Sequence, residues 1–373
     1  MSDETGSGKP AVLIIGGLGY VGRFLALHIH KNNLASEVRI VDKLLPQLAW
    51  LAPEFQEACS QDKFIQADAS KEANLSRIFT RSNGKEFDYV FNCGGETRYS
   101  QEDEVYKMRS HMLSMTVATE AAKRKIKCFV ELSTGMVYKP KEKPRRETDD
   151  LKPWLKLAKW KLDTEEALKK IQGLNLVILR LAHVYGPYTS TYLATALCLA
   201  RVYKYEEETM KWLWDRDLRT NTVHVEDVAR ACFSAAEYFE KTAPKSALIY
   251  NIVDQGNTSQ GMVADILSQI FGIPMKFEGG IVSKMAMLKL DSVVDELNDD
   301  TLDPWAELQQ EAGIVEPTPL NPFMEKELLK DNDLSLDGSS FIEDTGFKYN
   351  HPKLTKEEVE DVIESYKAMK WWP

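Results

Sequence analysis

The chain has 373 residues, 43% hydrophobic and 28% charged, with a formal net charge of −10. That is enough apolar material for a large core, which excludes a disordered chain; the acidic balance excludes nonspecific binding to nucleic acid, which needs an excess of Lys and Arg. No apolar run approaches the roughly 18–20 residues of a membrane helix.

Residues 1–9 are polar with no apolar face and read as a flexible tail, with neither a signal core nor an Arg-rich amphipathic stretch. Residues 11–15 (AVLII) then predict a first strand and 22–32 a helix. Further strands are predicted at 38–42 (VRIVD), 64–67, 89–93 (YVFNC), 128–133 (CFVELS) and 176–181 (LVILRL), with helices at 108–124 and 161–171 between later ones. Near-continuous apolar strands alternating with helices predict an α/β, Rossmann-type doubly wound parallel sheet covered on both faces. After Pro187 the alternation breaks. Helical material is followed by β-like runs at 222–225 and 249–253, then a helix, an acidic Pro-containing segment and a final helix. Thr355 and Glu358 open that last helix in a capping-box pattern, in which each side chain satisfies the other's backbone donor. The expected organisation is a sheet domain of residues 10–187 and 222–257 and a smaller, discontinuous C-terminal domain of 188–221 and 258–373.

Five scattered cysteines without a CxxC pair predict reduced thiols, with the cytoplasm as the simplest compartment and the nucleus also open. The acidic excess is concentrated. Residues 291–325 contain ten Asp or Glu and no Lys or Arg, which reads as a solvated segment or, alternatively, a docking surface for a basic protein partner. The six histidines show no metal-ligand spacing.

The strongest constellation is GGLGYVG at residues 16–22, where Gly16, Gly19 and Gly22 follow a strand and open a helix. Glycines there allow a tight turn and close approach of backbone N–H groups to a pyrophosphate, and the helix N-terminus adds partial positive charge. Asp42 ends the next strand, where a carboxylate can bind both ribose hydroxyls of NAD and would repel a 2′-phosphate. NAD(H) is therefore the expected cofactor.

On these residues the chain resembles the extended short-chain dehydrogenase/reductases, the NAD-dependent nucleotide-sugar epimerases and dehydratases, over roughly residues 10–260. Asp68 in FIQADAS is similar to that family's acidic residue beside the adenine, and NCGGETR, residues 92–98, resembles the segment that lines the cofactor after strand four. The resemblance assigns Asn92 and Gly94 to cofactor binding. LRLAHVYGPY (179–188), VHVEDVARA (223–231) and IYNIVDQGNTSQ (249–260) follow in the family's order. It implies a sugar-nucleotide substrate and a homodimer formed through the helices at 108–124 and 153–171.

In that family a Ser or Thr after strand five and a Tyr-x-x-x-Lys helix carry the redox step: the Tyr moves a proton, and the Lys tunes it and holds the nicotinamide ribose. Thr134 stands at the hydroxyl position, with Ser133 beside it, and Lys161 with Glu165 matches the lysine and its continuation. The phenol is missing. Leu157 stands four residues before Lys161, and taking Lys159 instead puts Leu155 there. The dehydratases' Asp-Glu pair is replaced by Gly135 and Met136. The expected phosphate-binding Arg falls on Thr220, with Arg219 one residue off. Tyr138, Lys159, Glu96 and His183 are candidate substitutes, Glu96 on condition that burial raises its pKa; Trp160 reads as core. The loop 139–147 (KPKEKPRRE) carries five basic residues that can attract an acidic substrate. Two functions follow: an epimerase- or dehydratase-like oxidoreductase with altered proton transfer, or a noncatalytic NAD-binding regulator or scaffold.

Overall fold

The computed structural model describes residues 8–140, 143–330 and 333–373. Residues 1–7 of the expected tail and residues 141 and 142 of the basic loop lie outside the described residues. The sheet strands are β1 (Ala11–Ile15), β2 (Glu37–Asp42), β3 (Phe64–Gln66), β4 (Tyr89–Asn92), β5 (Cys128–Thr134) and β6 (Leu176–Leu181). Three short strands follow outside that sheet, β7 (His183–Tyr185), β8 (Met210–Trp212) and β9 (Thr222–His224), and then β10 (Leu248–Ile252) and β11 (Met275–Phe277). The central sheet has seven strands in the order β10-β6-β5-β4-β1-β2-β3, all parallel. The predicted run at 222–225 does not join it: β9 pairs with β7 in a separate two-stranded sheet.

The helices are α1 (Tyr20–Lys31), α2 (Glu72–Phe79), α3 (Asp103–Tyr106), α4 (Met112–Lys123), α5 (Lys156–Leu168), α6 (Leu193–Tyr205) and α7 (Val225–Thr242), followed by α8 (Gln260–Phe271), α9 (Gly279–Met287), α10 (Leu290–Glu311), α11 (Ser339–Thr345) and α12 (Lys356–Ala368). Successive strand side chains point to opposite faces, and each face has its own helices. In β1, Val12 and Ile14 enter the core shared with Phe24 and Leu25 of α1 and Val228 and Cys232 of α7. Leu13 and Ile15 enter the opposite core with Leu75 of α2, Val117 of α4 and Leu168 of α5. Burying a Leu or Ile in this way contributes about 1.5–3 kcal/mol, so the continuous apolar strands are what a two-sided sheet requires. A third core joins α6, α8, α10 and α12 through Leu197, Leu267, Trp305 and Val362.

Two expectations about the C-terminal part change. Most of the acidic segment is one 22-residue helix, α10, with Pro304 inside it. Val294, Asn298, Thr301, Trp305 and Leu308 are buried along one stripe at helical spacing, and this anchoring outweighs the proline. The capping box is only half formed. Thr355 accepts from the Glu358 N–H, but the Glu358 carboxylate turns away to accept from the Tyr185 hydroxyl and to pair with His351.

Candidate functional site

Strand order reverses between β1 and β4, and in open parallel sheets the crevice beyond the strand ends at such a point is where ligands bind. A cavity of about 730 Å³ runs from this crevice, and Gly16, Gly19, Asp42, Asp68, Gly94, Thr134, Leu157 and Lys161 all line it. A Cβ on Gly16 would lie 2.5 Å from the Gly94 backbone, and one on Gly22 would lie 2.3 Å from the Gly16 carbonyl oxygen. Gly16 also has φ +69°, in the left-handed region. Gly19 caps α1 without a side chain, and the first turn of α1 holds no acidic residue. The helix therefore presents its free N–H groups to an anion. The Asp42 carboxylate accepts from the N–H of Leu18 (3.2 Å) and Leu44 (3.1 Å), which fixes it at the edge of the glycine turn. Asp68 accepts from the backbone and hydroxyl of Ser70. These features fit a dinucleotide: backbone donors at the centre, and a carboxylate at the ribose end.

At the other end, Thr134, Lys161 and Leu157 converge. The Thr134 hydroxyl accepts from the Met136 N–H, and the Lys161 ammonium donates to the Leu132 carbonyl (2.7 Å) and lies 3.7 Å from the Glu131 carboxylate. Leu157 is one helical turn before Lys161 and forms apolar wall. Asn92 is not on the cavity surface. Fully buried, it donates to Glu131 (2.7 Å) and Ser114 (2.9 Å), so it supports the floor on which Lys161 rests.

The sequence profile of the NAD dependent epimerase/dehydratase family matches residues 12–252, well over half of the chain. The chain belongs to the NAD dependent epimerase/dehydratase family. NAD is accordingly its cofactor. Solved structures with the same fold include Pal from Bacillus thuringiensis, with 16% identity, a TM-score of 0.68 and coverage of 96% of this chain and 99% of that one. The UDP-glucose 4-epimerase of Thermotoga maritima, solved with UDP-glucose, has 19% identity and a TM-score of 0.65, with 96% and 98% coverage. WbmG of Bordetella bronchiseptica, solved with NAD and UDP, has 15% identity and a TM-score of 0.66, with 98% and 97% coverage. No match was found among the curated proteins.

Of the candidate substitutes for the missing phenol, Glu96 and Tyr138 are bonded to other side chains, Lys159 is exposed, and His183 is on the cavity wall. Glu96 was expected to serve as a base if burial raised its pKa. Burial does push it up, but hydrogen bonds from Arg98 and Arg109 outweigh that and hold its pKa at about 2. Arg109 lies in a π-helical turn, residues 107–111, between α3 and α4. The Tyr138 hydroxyl is buried, donates to Asn251 and accepts from Arg180 (2.8 Å each); burial raises its pKa to about 12. Lys159 is exposed. His183 lines the cavity with its ring stacked on Tyr192 (3.8 Å between centroids, 5° between planes). Burial keeps its imidazole neutral, with the pKa lowered to about 3. Trp160 is half-buried and donates to Asp103, tying α5 to α3.

Sequence reasoning missed the charge pair beneath the site. Arg180 is the fifth of the six residues of otherwise apolar β6 and meets Glu165 at 2.6 Å, both essentially without exposure. Ser133 also donates to Glu165 (2.5 Å). The signal was available as a lone Arg in LVILRL, which needs a buried partner.

The histidines also gain a neighbourhood that spacing did not reveal. His224, Glu226 and His351 bring possible ligand atoms within 4.8 Å of one another. The His224 and His351 rings are stacked, with centroids 3.6 Å apart and planes 20° apart. Parallel rings this close direct their lone pairs side by side, so one ion about 2 Å from both nitrogens would lie outside both ring planes. The arrangement is instead a clasp. His351 sits between Glu226 (3.5 Å) and Glu358 (2.9 Å), with Asp227 beneath it accepting from its backbone N–H. Hydrogen bonds to Glu226 and Glu358 raise the His351 pKa to about 10, whereas burial and the facing His351 lower that of His224 to about 4. A pKa raised on folding contributes stability that is complete below about 6.5 and fades as pH rises through about 10. Urea unfolding should therefore show stability falling by about 1–2 kcal/mol between neutral pH and pH 10, discounted for the solvent that reaches the ring, and His351→Gln should flatten that slope. An unchanged slope in the variant would remove this role.

Among the described residues, no helix is long and apolar enough to cross a membrane. All five cysteines are free thiols, four of them buried.

Proposed function

We propose that the chain is an NAD(H)-binding oxidoreductase of the epimerase/dehydratase type in which proton transfer no longer passes through a phenol. Gly16, Gly19 and Gly94 let the cofactor approach the backbone closely, and Gly22, which is off the cavity surface, lets α1 pack against the glycine turn. Asp42 takes the adenosine ribose, Asp68 the adenine side, and Lys161 the nicotinamide ribose. The bound nicotinamide supplies hydride transfer; Thr134 and Lys161 orient a hydroxylated small-molecule substrate against it. The observation that carries this reading is the convergence of Thr134 and Lys161 on the same cavity as the glycine turn, with Leu157 in the phenol's place. Leucine neither gives nor takes a proton, so the step costs what a missing general acid or base costs, roughly 10²–10⁴-fold in rate.

The test is NADH formation, followed by absorbance, with NAD-loaded protein and a panel of alcohols including sugar nucleotides. Leu157→Tyr should turn over faster than the wild type by roughly 10²–10⁴-fold. If it is no faster while NAD still binds, the alternative gains: a noncatalytic NAD-responsive regulator. One observation favours that alternative. A Cβ on Gly135 would lie 2.5 Å from the Leu336 side chain, so the chain has packed over the position where the dehydratase resemblance puts a carboxylate.

A further inference from the structure

The cavity continues past Thr134 and Lys161, and the chemistry of this far end differs from that of a pyrophosphate site. Its walls are Met136, Leu157, Leu181, Tyr99 and the stacked pair of His183 and Tyr192. Tyr192 is held there at φ 51° and ψ −91°, a backbone conformation that a side chain like tyrosine rarely adopts. Its hydroxyl bonds to that of Thr220, the residue at the expected phosphate-binding position, so Thr220 is occupied in building the aromatic wall.

Cations for two phosphates are not at hand among the described residues that line the cavity. Arg23 is taken by the carbonyls of Leu18, Gly19, Ala49 and Trp50. Lys43 and Lys71 stand beside Asp42 and Asp68 at the adenosine end. Arg109 is paired with Glu96, and Lys161 lies on Leu132 and Glu131. Arg219 donates to the Asn257 carbonyl and is not on the wall. In the basic loop, Arg146 pairs with Asp337, and Arg145 is buried and donates to the Lys139 carbonyl.

Of residues 291–325, Pro319 reaches the lining and the ten carboxylates do not. Among the described residues that line the cavity, a ligand carrying two negative charges would find the cations either paired or at the adenosine end, whereas an uncharged flat molecule would meet aromatic faces and the Thr134 hydroxyl.

We infer that the far end of this cavity binds an uncharged alcohol or ketone with a flat apolar body, in place of a sugar nucleotide. This rests on the reading that NAD(H) occupies the glycine-rich end. The experiment is calorimetric titration of the full-length, NADH-loaded protein with acetonaphthone, and separately with UDP and UDP-glucose. Acetonaphthone should bind and the two nucleotides should not. Tyr192→Ala should weaken acetonaphthone by about tenfold, whereas Tyr192→Phe, which keeps the stack, should leave it near the wild-type value. Tighter binding of UDP or UDP-glucose than of acetonaphthone overturns the proposal, and so does failure of all three to bind. NADH binding is titrated first; its absence would instead overturn the cofactor reading on which the proposal stands.

Discussion

Replacing Arg180 by alanine is expected to lower the unfolding free energy by about 3–5 kcal/mol, because it leaves the Glu165 carboxylate buried without its partner. The guanidinium does more than neutralise that charge. It donates to both carboxylate oxygens, bonds the Tyr138 hydroxyl and lies over the Tyr138 ring at 4.9 Å. Burial disfavours its charge, but the hydrogen bonds and charge of Glu165 more than reverse this and raise its pKa. Tyr138 passes the network on to Asn251, whose amide donates to the carbonyls of Arg145 and Asp337. One side chain therefore links β5, β6, β10 and α5 with the loops above them. Urea denaturation of Arg180→Ala and of Glu165→Gln checks this. The double replacement Glu165→Leu with Arg180→Met should cost much less than the two single changes combined, since it buries no lone charge. Strict additivity would mean that the pair does not act as a unit.

Asp42→Ala should weaken NAD by roughly 10–100-fold, the worth of one to two hydrogen bonds to a charged acceptor. NADP should lose less, since the change also removes repulsion of the 2′-phosphate. The geometry adds a refinement that the spacing alone did not contain. Asp42 also holds the Leu18 N–H inside the glycine turn, so part of the loss will be common to both cofactors. The discriminating quantity is the ratio of the two dissociation constants, measured by calorimetry for wild type and variant. It should move toward NADP. An unchanged ratio would mean that Asp42 only braces the turn and does not read the ribose.

The amino-acid sequence by itself determined the parallel sheet and the cofactor end of the cavity. Strands buried on both faces are continuous apolar runs, and a glycine turn between strand and helix has no local substitute where a Cβ would meet backbone, so both features are written in neighbouring residues. The absence of a phenol was equally legible, because Leu157 sits at a fixed helical offset from Lys161. The amphipathic stripe of α10 was present too, at Val294, Asn298, Thr301, Trp305 and Leu308, but the acidic residues and Pro304 around it masked the period. Only the tertiary structure decided the electrostatics. Arg109 pairs with Glu96 from the next helix, Glu165 finds Arg180 across two elements, and His351 closes on Glu226 and Glu358 from the far end of the chain. A carboxylate's pKa depends on which charges come within a few ångströms of it, and that distance is set by packing between distant segments rather than by spacing along the chain.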